Sequence, residues 1–237
     1  MENWSLLAFG ILVGMQHALE ADHLAAVAAL STGRTTRRGV MLRGAWWGVG
    51  HTVALFAICG TVILLGLTLE SRVEAAAEFC VGIMVTLLGL NVLRTMLRRR
   101  IHFHAHDHGD GRQHIHAHGH HGQVPHAASA HAHRHPNRGL VKATAIGLLH
   151  GAAGSGALLV LIVAATRSLP AALAYIACFG IGSIIGMAAL SFVASFPLRA
   201  AERGATWLNT ATMTAIGLTA VAVGGNIAIE SWMSLGF

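Results

Sequence analysis

Charge is scarce in this chain. Asp, Glu, Lys and Arg make up 11% of its 237 residues, against 54% hydrophobic residues and a mean hydropathy of +0.59. A soluble domain carries about 25% charged residues, so an ordinary water-soluble globule is excluded and the lipid bilayer becomes an expected partner. No RNA- or DNA-binding motif accompanies the formal charge of +6. Nucleic acid is therefore not expected as a partner, because basic residues gathered at one membrane face give the same balance. Cysteine is equally sparse: Cys59, Cys80 and Cys178 stand alone in apolar runs, with no CxxC pair. That excludes a disulfide framework, and all three read as small buried hydrophobes. The N-terminus lacks the basic stretch of a secretory signal, carries Glu2, and has a polar cluster in the middle of its first apolar run. The first helix is therefore expected to be retained.

Long hydrophobic runs are what the chain has instead. They fall at 4–30, 41–69, 75–97, 140–165, 171–196 and 206–230. About 20 apolar residues cross a bilayer, so the pattern predicts an all-α integral membrane protein with six transmembrane helices. Arg34, Arg37, Arg38 and Arg43 follow the first run, Arg94 to Lys142 include eight basic residues between the third and fourth, and Arg199 and Arg203 follow the fifth. Only Arg72 and Arg167 fall on the other side. The positive-inside rule predicts a cell (inner) membrane protein with both termini outside and the long central loop in the cytoplasm.

An internal repeat is visible. Gly14-Met-Gln-His17-Ala18 reads against Gly147-Leu-Leu-His150-Gly151, Trp47-Gly-Val-Gly50-His51 against Phe179-Gly-Ile-Gly182-Ser183, and Leu88-Gly-Leu90 against Ile216-Gly-Leu218, at a near-constant offset. The expected organisation is a first three-helix repeat at 1–97, a loop at 98–139 and a second three-helix repeat at 140–237. With three helices per half, the second copy enters the membrane inverted, the 3+3 arrangement common in secondary transporters.

Residues 98–139 hold thirteen of the seventeen histidines, in runs such as His102-Phe-His-Ala-His-Asp-His108. Such a segment has too little apolar content to offset ordering entropy, so disorder is expected without metal. Imidazole is a good ligand for Ni, Co, Cu and Zn, which makes a cytosolic metal reservoir or sensor the functional expectation and a passive linker the plain one.

The chemistry-bearing cluster is His17-Ala-Leu-Glu20-Ala-Asp22-His23, two imidazoles and two carboxylates inside the first apolar run. Ionisable groups at membrane depth are rare unless they face a cavity, a partner or an ion. On a regular helix His17 and Glu20 share a face, while Asp22 and His23 point roughly 140° and 240° away from His17. Either the helix is kinked or unwound here, a local irregularity that Gly10 and Gly14 make tolerable, or the residues serve different partners. His51 and His150, each flanked by glycines that permit close helix approach, are expected to converge on the cluster. The expected metal set is thus His17, Asp22, His23, His51, His150 and Glu20. Asn91 and Asn226 are candidate ligands or gates, though an interhelical hydrogen bond is their plainer role, and Thr52, Ser155 and Ser183 are weaker candidates. Imidazole and carboxylate without thiolate suit Ni²⁺, Co²⁺, Zn²⁺ or Cu²⁺.

His17-x4-Asp22-His23 in a membrane helix resembles the H-x4-D-H signature of the nickel/cobalt transporter family. Gly50-His51 and Leu88-Gly-Leu-Asn91 are similar to further family motifs, and the likeness is greatest to the short urease-accessory (UreH-type) branch. The resemblance implies secondary transport of Ni²⁺ or Co²⁺ as cargo, with no resident cofactor, His17, Asp22 and His23 binding metal and His51 helping. Two features depart from it. Longer members have eight helices with the signature in the second, and the histidine loop is similar to that of related exporters.

An enzyme is not expected. His17-Ala-Leu-Glu20 does not provide HExxH, and no Ser or Cys nucleophile pairs with a base. The alternative to a transporter is a metal-sensing protein, or one that docks cytosolic metallochaperones through residues 102–135.

Overall fold

The computed structural model describes residues 2–31, 36–67, 70–98, 102–107, 113–118, 137–154, 162, 168–203 and 206–236. Among them are seven helices: α1 Glu2–His17, α2 Ala21–Leu30, α3 Arg37–Leu65, α4 Ser71–Arg98, α5 Asn137–Ala153, α6 Leu169–Arg203 and α7 Thr206–Ser234. Four of these, α3, α4, α6 and α7, are long and apolar enough to cross a membrane. Side chains such as Trp4, Leu97, Trp207 and Met233 are open on the outside of the bundle, as expected where the surrounding solvent is hydrocarbon.

Of the six expected spans, the first and fourth differ. The run 4–30 is two short helices, α1 and α2, separated by Ala18–Glu20. Turn-type bonds close the end of α1, from Leu19 N–H to the Gln16 carbonyl at 2.9 Å and from Glu20 N–H to the His17 carbonyl at 3.1 Å. Glu20 is then extended, with φ −63° and ψ 152°, and starts α2. The run 140–165 gives α5 up to Ala153, and residues 155–161 and 163–167 lie outside the described set. Hydropathy measures total apolar length, and it cannot see a break where polar side chains satisfy the freed backbone. Gly10 and Gly14 do not make the irregularity. They lie within α1, where Gly10 meets Tyr175 and Gly14 meets the Phe179 carbonyl of α6.

The longer helices end on recognisable signals. Thr36 accepts from Gly39 N–H at 3.1 Å and caps α3, a bond that satisfies one of the free amides of a first turn. Gly66, at φ 61°, ends α3 in the left-handed conformation that lacks a Cβ penalty only for glycine. Helix pairs then approach backbone to backbone. α1 packs on α6, α3 on both α5 and α6, and α4 on α7. Gly14 faces the Phe179 carbonyl, Gly147 the Trp47 carbonyl, Gly182 the Ile11 carbonyl and Gly50 the Thr144 carbonyl. Gly89 and Gly217 meet each other where α4 crosses α7. Ser183 Oγ donates to the Gly14 carbonyl at 3.3 Å and Thr52 Oγ1 to the Gly180 carbonyl at 3.1 Å.

Two further expectations change. Cys59 is buried, but Cys178 is only partly so and Cys80 is exposed. The disorder expected over 98–139 gives way, at two segments, to an antiparallel hairpin of β1 His102–Asp107 and β2 Gln113–His118. Alternation of His with other residues has the period of a pleated strand, and ladder hydrogen bonds need no apolar core. The register pairs His102 with His118, His104 with His116 and His106 with His114.

A methyl group at Gly147 would press on the Trp47 backbone, whereas one at Gly225 meets open space. Gly147→Ala is therefore expected to destabilise the detergent-solubilised protein by about 1–3 kcal/mol, the usual cost of overpacking, and Gly225→Ala to change little. Thermal unfolding of the two variants side by side checks this, and equal midpoints would contradict the packing.

Candidate metal centre

The break after α1 changes what its polar residues can reach. Because the chain turns at Ala18–Glu20, His17 at the end of α1 and His23 in the first turn of α2 face each other, with ring centroids 4.5 Å apart. A straight helix would have pointed them in different directions. α3 contributes His51, whose ring lies 5.1 Å from His17 and 5.3 Å from His23. α5 contributes His150, 4.2 Å from His23 and 6.1 Å from His51. His23, His51 and His150 are buried, and His17 is nearly so.

Carboxylates fix the imidazoles. Glu20 Oε1 stands 2.8 Å from His17 Nδ1. An ionised carboxylate only accepts, so Nδ1–H donates and the neutral ring keeps a lone pair on Nε2. That Nε2 lies 3.2 Å from His51 Nε2. Asp22 Oδ1 accepts from the His23 backbone N–H at 2.8 Å and faces His23 Nδ1 at 3.0 Å. Its Oδ2 faces His150 Nε2 at 2.7 Å. With those protons directed at Asp22, His23 Nε2 and His150 Nδ1 are left as bare acceptors. Both are buried and have no hydrogen-bond partner, as has His51 Nδ1. Buried polar atoms without partners are uncommon, and three at one point make this a centre that has donor atoms to offer.

The groups fall into two overlapping triads whose donor atoms lie within 4.8 Å of one another: His17, His23 and His51, and Asp22, His23 and His150. Nitrogen ligands at about 2.1 Å from a transition metal stand roughly 3.0–3.4 Å apart when adjacent in octahedral or tetrahedral geometry. The 3.2 Å between His17 Nε2 and His51 Nε2 fits that spacing. A carboxylate on the far nitrogen, as Glu20 provides, is the usual device for orienting a metal-binding imidazole. α1 and α5 both end in a final turn carrying a histidine, His17 and His150, so two helix C-termini with their partial negative charge point at the centre.

Of the expected set, the structure thus gathers His17, Asp22, His23, His51 and His150, with Glu20 behind His17. It does not bring in the others. Asn91 is exposed on α4, and Asn226 donates to Glu230 within α7 at 2.9 Å. Thr52 and Ser183 are spent on helix contacts, and Ser155 lies outside the described residues. Two aromatic walls were not foreseen. Phe179 stands 5.4 Å from His17 and Trp47 5.5 Å from His150. Their signal was present, since both head the matched glycine segments of the repeat. The centre opens into a cavity of about 960 Å³ lined also by Glu74, Glu78 and Glu230, carboxylates that lie near helix ends and carry no local motif.

Comparison with known proteins agrees with this picture at the level of sequence. The urease accessory protein UreH of Bacillus sp. (strain TB-90) is 28% identical over 204 residues, covering 84% of this chain and 80% of that one. The chain is thus similar to UreH over most of its length. The expected likeness to a urease accessory protein of the UreH type is thereby borne out. No protein-family profile matches, and no solved structure matches. The alignment with UreH spans most of both chains, so it is not carried by one motif.

His23 belongs to both triads. Titration of the purified protein with Co²⁺ is expected to develop visible absorption from an imidazole-bound ion, which His23→Ala abolishes and Asn91→Ala leaves intact. Glu20→Gln is expected to weaken Co²⁺ binding about 10–100-fold, as loss of an orienting partner does. Unchanged affinity in Glu20→Gln would remove Glu20 from the centre.

Proposed function

We propose that the protein is a secondary transporter of a divalent transition-metal ion, with Ni²⁺ or Co²⁺ as cargo and the urease-accessory context favouring Ni²⁺. The observation that carries this is the pair of imidazole nitrogens 3.2 Å apart, one backed by a carboxylate, beside a helix break inside an apolar run. Broken helices whose ends face a cation are a recurring solution in transporters. In the proposed cycle the hydrated ion sheds water, exchanges it for His17, His23 and His51, and leaves when the surroundings rearrange. Asp22 and Glu20 hold the rings and balance charge. His150, held by Asp22, is the adjacent donor to which the ion passes. Raw affinity for nitrogen and oxygen donors favours Cu²⁺, so selection for Ni²⁺ comes from geometry or supply.

The rearrangement proposed is a rocking of two inverted three-helix repeats, 1–97 and 140–237. Matched contacts support it. Gly14 with Phe179 corresponds to Gly147 with Trp47, and Gly182 with Ile11 corresponds to Gly50 with Thr144. The pairing of His17 with Phe179 likewise corresponds to that of His150 with Trp47. The arginine-rich face is proposed as cytoplasmic, with the histidine ribbon on that side and both termini opposite.

Flux of radiolabelled Ni²⁺ or Co²⁺ into proteoliposomes tests the function. The wild type is expected to transport, and His17→Ala and Asp22→Asn to lose at least tenfold; wild-type rates in both variants would defeat it. Binding should also weaken on acidification, because protonated rings cannot ligate. A metal-sensing role has one observation in its favour, the register that pairs His102, His104 and His106 with His118, His116 and His114. Deleting residues 102–135 separates the two: a transporter keeps its flux, and a sensor loses its response.

A further inference from the structure

The cavity above the metal centre has walls of its own. Glu74 and Glu78 lie one turn apart on α4, and Glu230 lies on α7 with Ser231 and Ser234 beside it. Ser231 Oγ donates to Glu78 Oε2 at 3.3 Å, and Glu230 Oε1 accepts from Asn226. Among the described residues none of these three carboxylates pairs with an arginine or lysine, whereas Glu20 and Asp22 of the centre are taken up by His17, His23 and His150. His23 and His150, 1% and 2% exposed, line the same cavity, each with a bare ring nitrogen. The acidic walls therefore lead to unpartnered buried donors.

The position of the opening is informative. Glu74 and Glu78 are in the first turns of α4, and Glu230 to Ser234 are in the last turns of α7. These are the ends of the helices away from Arg94 on α4 and away from the α6–α7 connection that follows Arg199. The cavity thus opens on the face opposite most of the arginines, the face that the positive-inside rule places outside the cytoplasm.

We infer that Glu74, Glu78 and Glu230 form an entry vestibule that captures the hydrated divalent cation from the non-cytoplasmic side and delivers it to His23, which makes the transport uptake. The inference rests on the metal-transport function proposed above. Three uncompensated carboxylates in a cleft with low-dielectric walls concentrate cations and raise association rates 10-fold or more, an effect that salt suppresses. They are not needed to hold the ion once it reaches the imidazoles, so rate and bound state separate.

Stopped-flow mixing of Co²⁺ with the full-length protein in nanodiscs reads the two apart. In the triple variant E74Q/E78Q/E230Q the association rate at low salt is expected to fall about tenfold and to lose most of its ionic-strength dependence, with the spectrum of bound Co²⁺ unchanged. The single variants guard against a triple that does not fold, each being expected to lower the rate about twofold. Wild-type rates and salt dependence in well-folded variants would overturn the vestibule. For sidedness, Ser234→Cys in a variant lacking the three native cysteines is expected to react with a membrane-impermeant maleimide in intact cells; reaction only after permeabilisation would overturn uptake through this opening. Neither readout needs flux, so a wild type that binds Co²⁺ through the vestibule but does not move it would defeat the transport function and leave the vestibule standing.

Discussion

Every feature of the centre depends on the hydrogen-bonded contact between imidazoles and carboxylates where α1 gives way to α2. At membrane depth a charged or strongly polar side chain has no water to solvate it and must find a partner within the protein. Here Glu20 takes His17, and Asp22 takes both His23 and His150. Those pairings stabilise a chain turn that hydrocarbon would otherwise penalise, since residues 18–20 leave the regular helical hydrogen-bond pattern. The turn in return is what allows His17 and His23 to face one another. Site and backbone irregularity are one arrangement seen from two sides.

The second requirement is closeness. α5 brings His150 to His23 only because Gly147 and Gly151 lie directly against the α3 backbone at Trp47 and His51. α1 reaches α6 in the same way through Gly14 and Gly182. Small residues at helix crossings are the common route to tight packing where lipid tails supply no hydrophobic drive. In this chain that packing has a chemical consequence, because the rings are brought to ligand spacing by backbone contact rather than by long side chains. The orienting carboxylates leave a lone pair on His17 Nε2, His23 Nε2 and His150 Nδ1, so the rings need little reorganisation to accept an ion.

Much of this was legible in the amino-acid order. Apolar runs gave the helices, and His17 to His23 stood out as polar groups in the wrong solvent. His51 and His150 were legible from their glycine neighbours, and the angular mismatch between His17 and His23 already required either a break or divided roles. The position of the break was not legible, because it falls at Ala-Leu-Glu with neither Pro nor Gly, and its cause is tertiary: Asp22 finds His150 on α5, and His17 finds His51 on α3, only after packing. Glu74, Glu78 and Glu230 were invisible for the same reason. Each is a helix-end acid of the ordinary kind until α4 and α7 are set side by side against α2. The hairpin in the histidine-rich segment follows the two-residue period of its histidines, a signal that composition does not carry.

The most direct test of the centre is a crystal structure of the protein soaked with Ni²⁺ or Co²⁺, with anomalous scattering recorded at the metal edge. The account predicts a single strong intramembrane peak about 2.1 Å from nitrogens of His17, His23 and His51, with the chain still broken at Ala18–Glu20 and Glu20 still on His17 Nδ1. A peak held elsewhere, or a straight helix through residues 17–23 with the three rings directed apart, would contradict it.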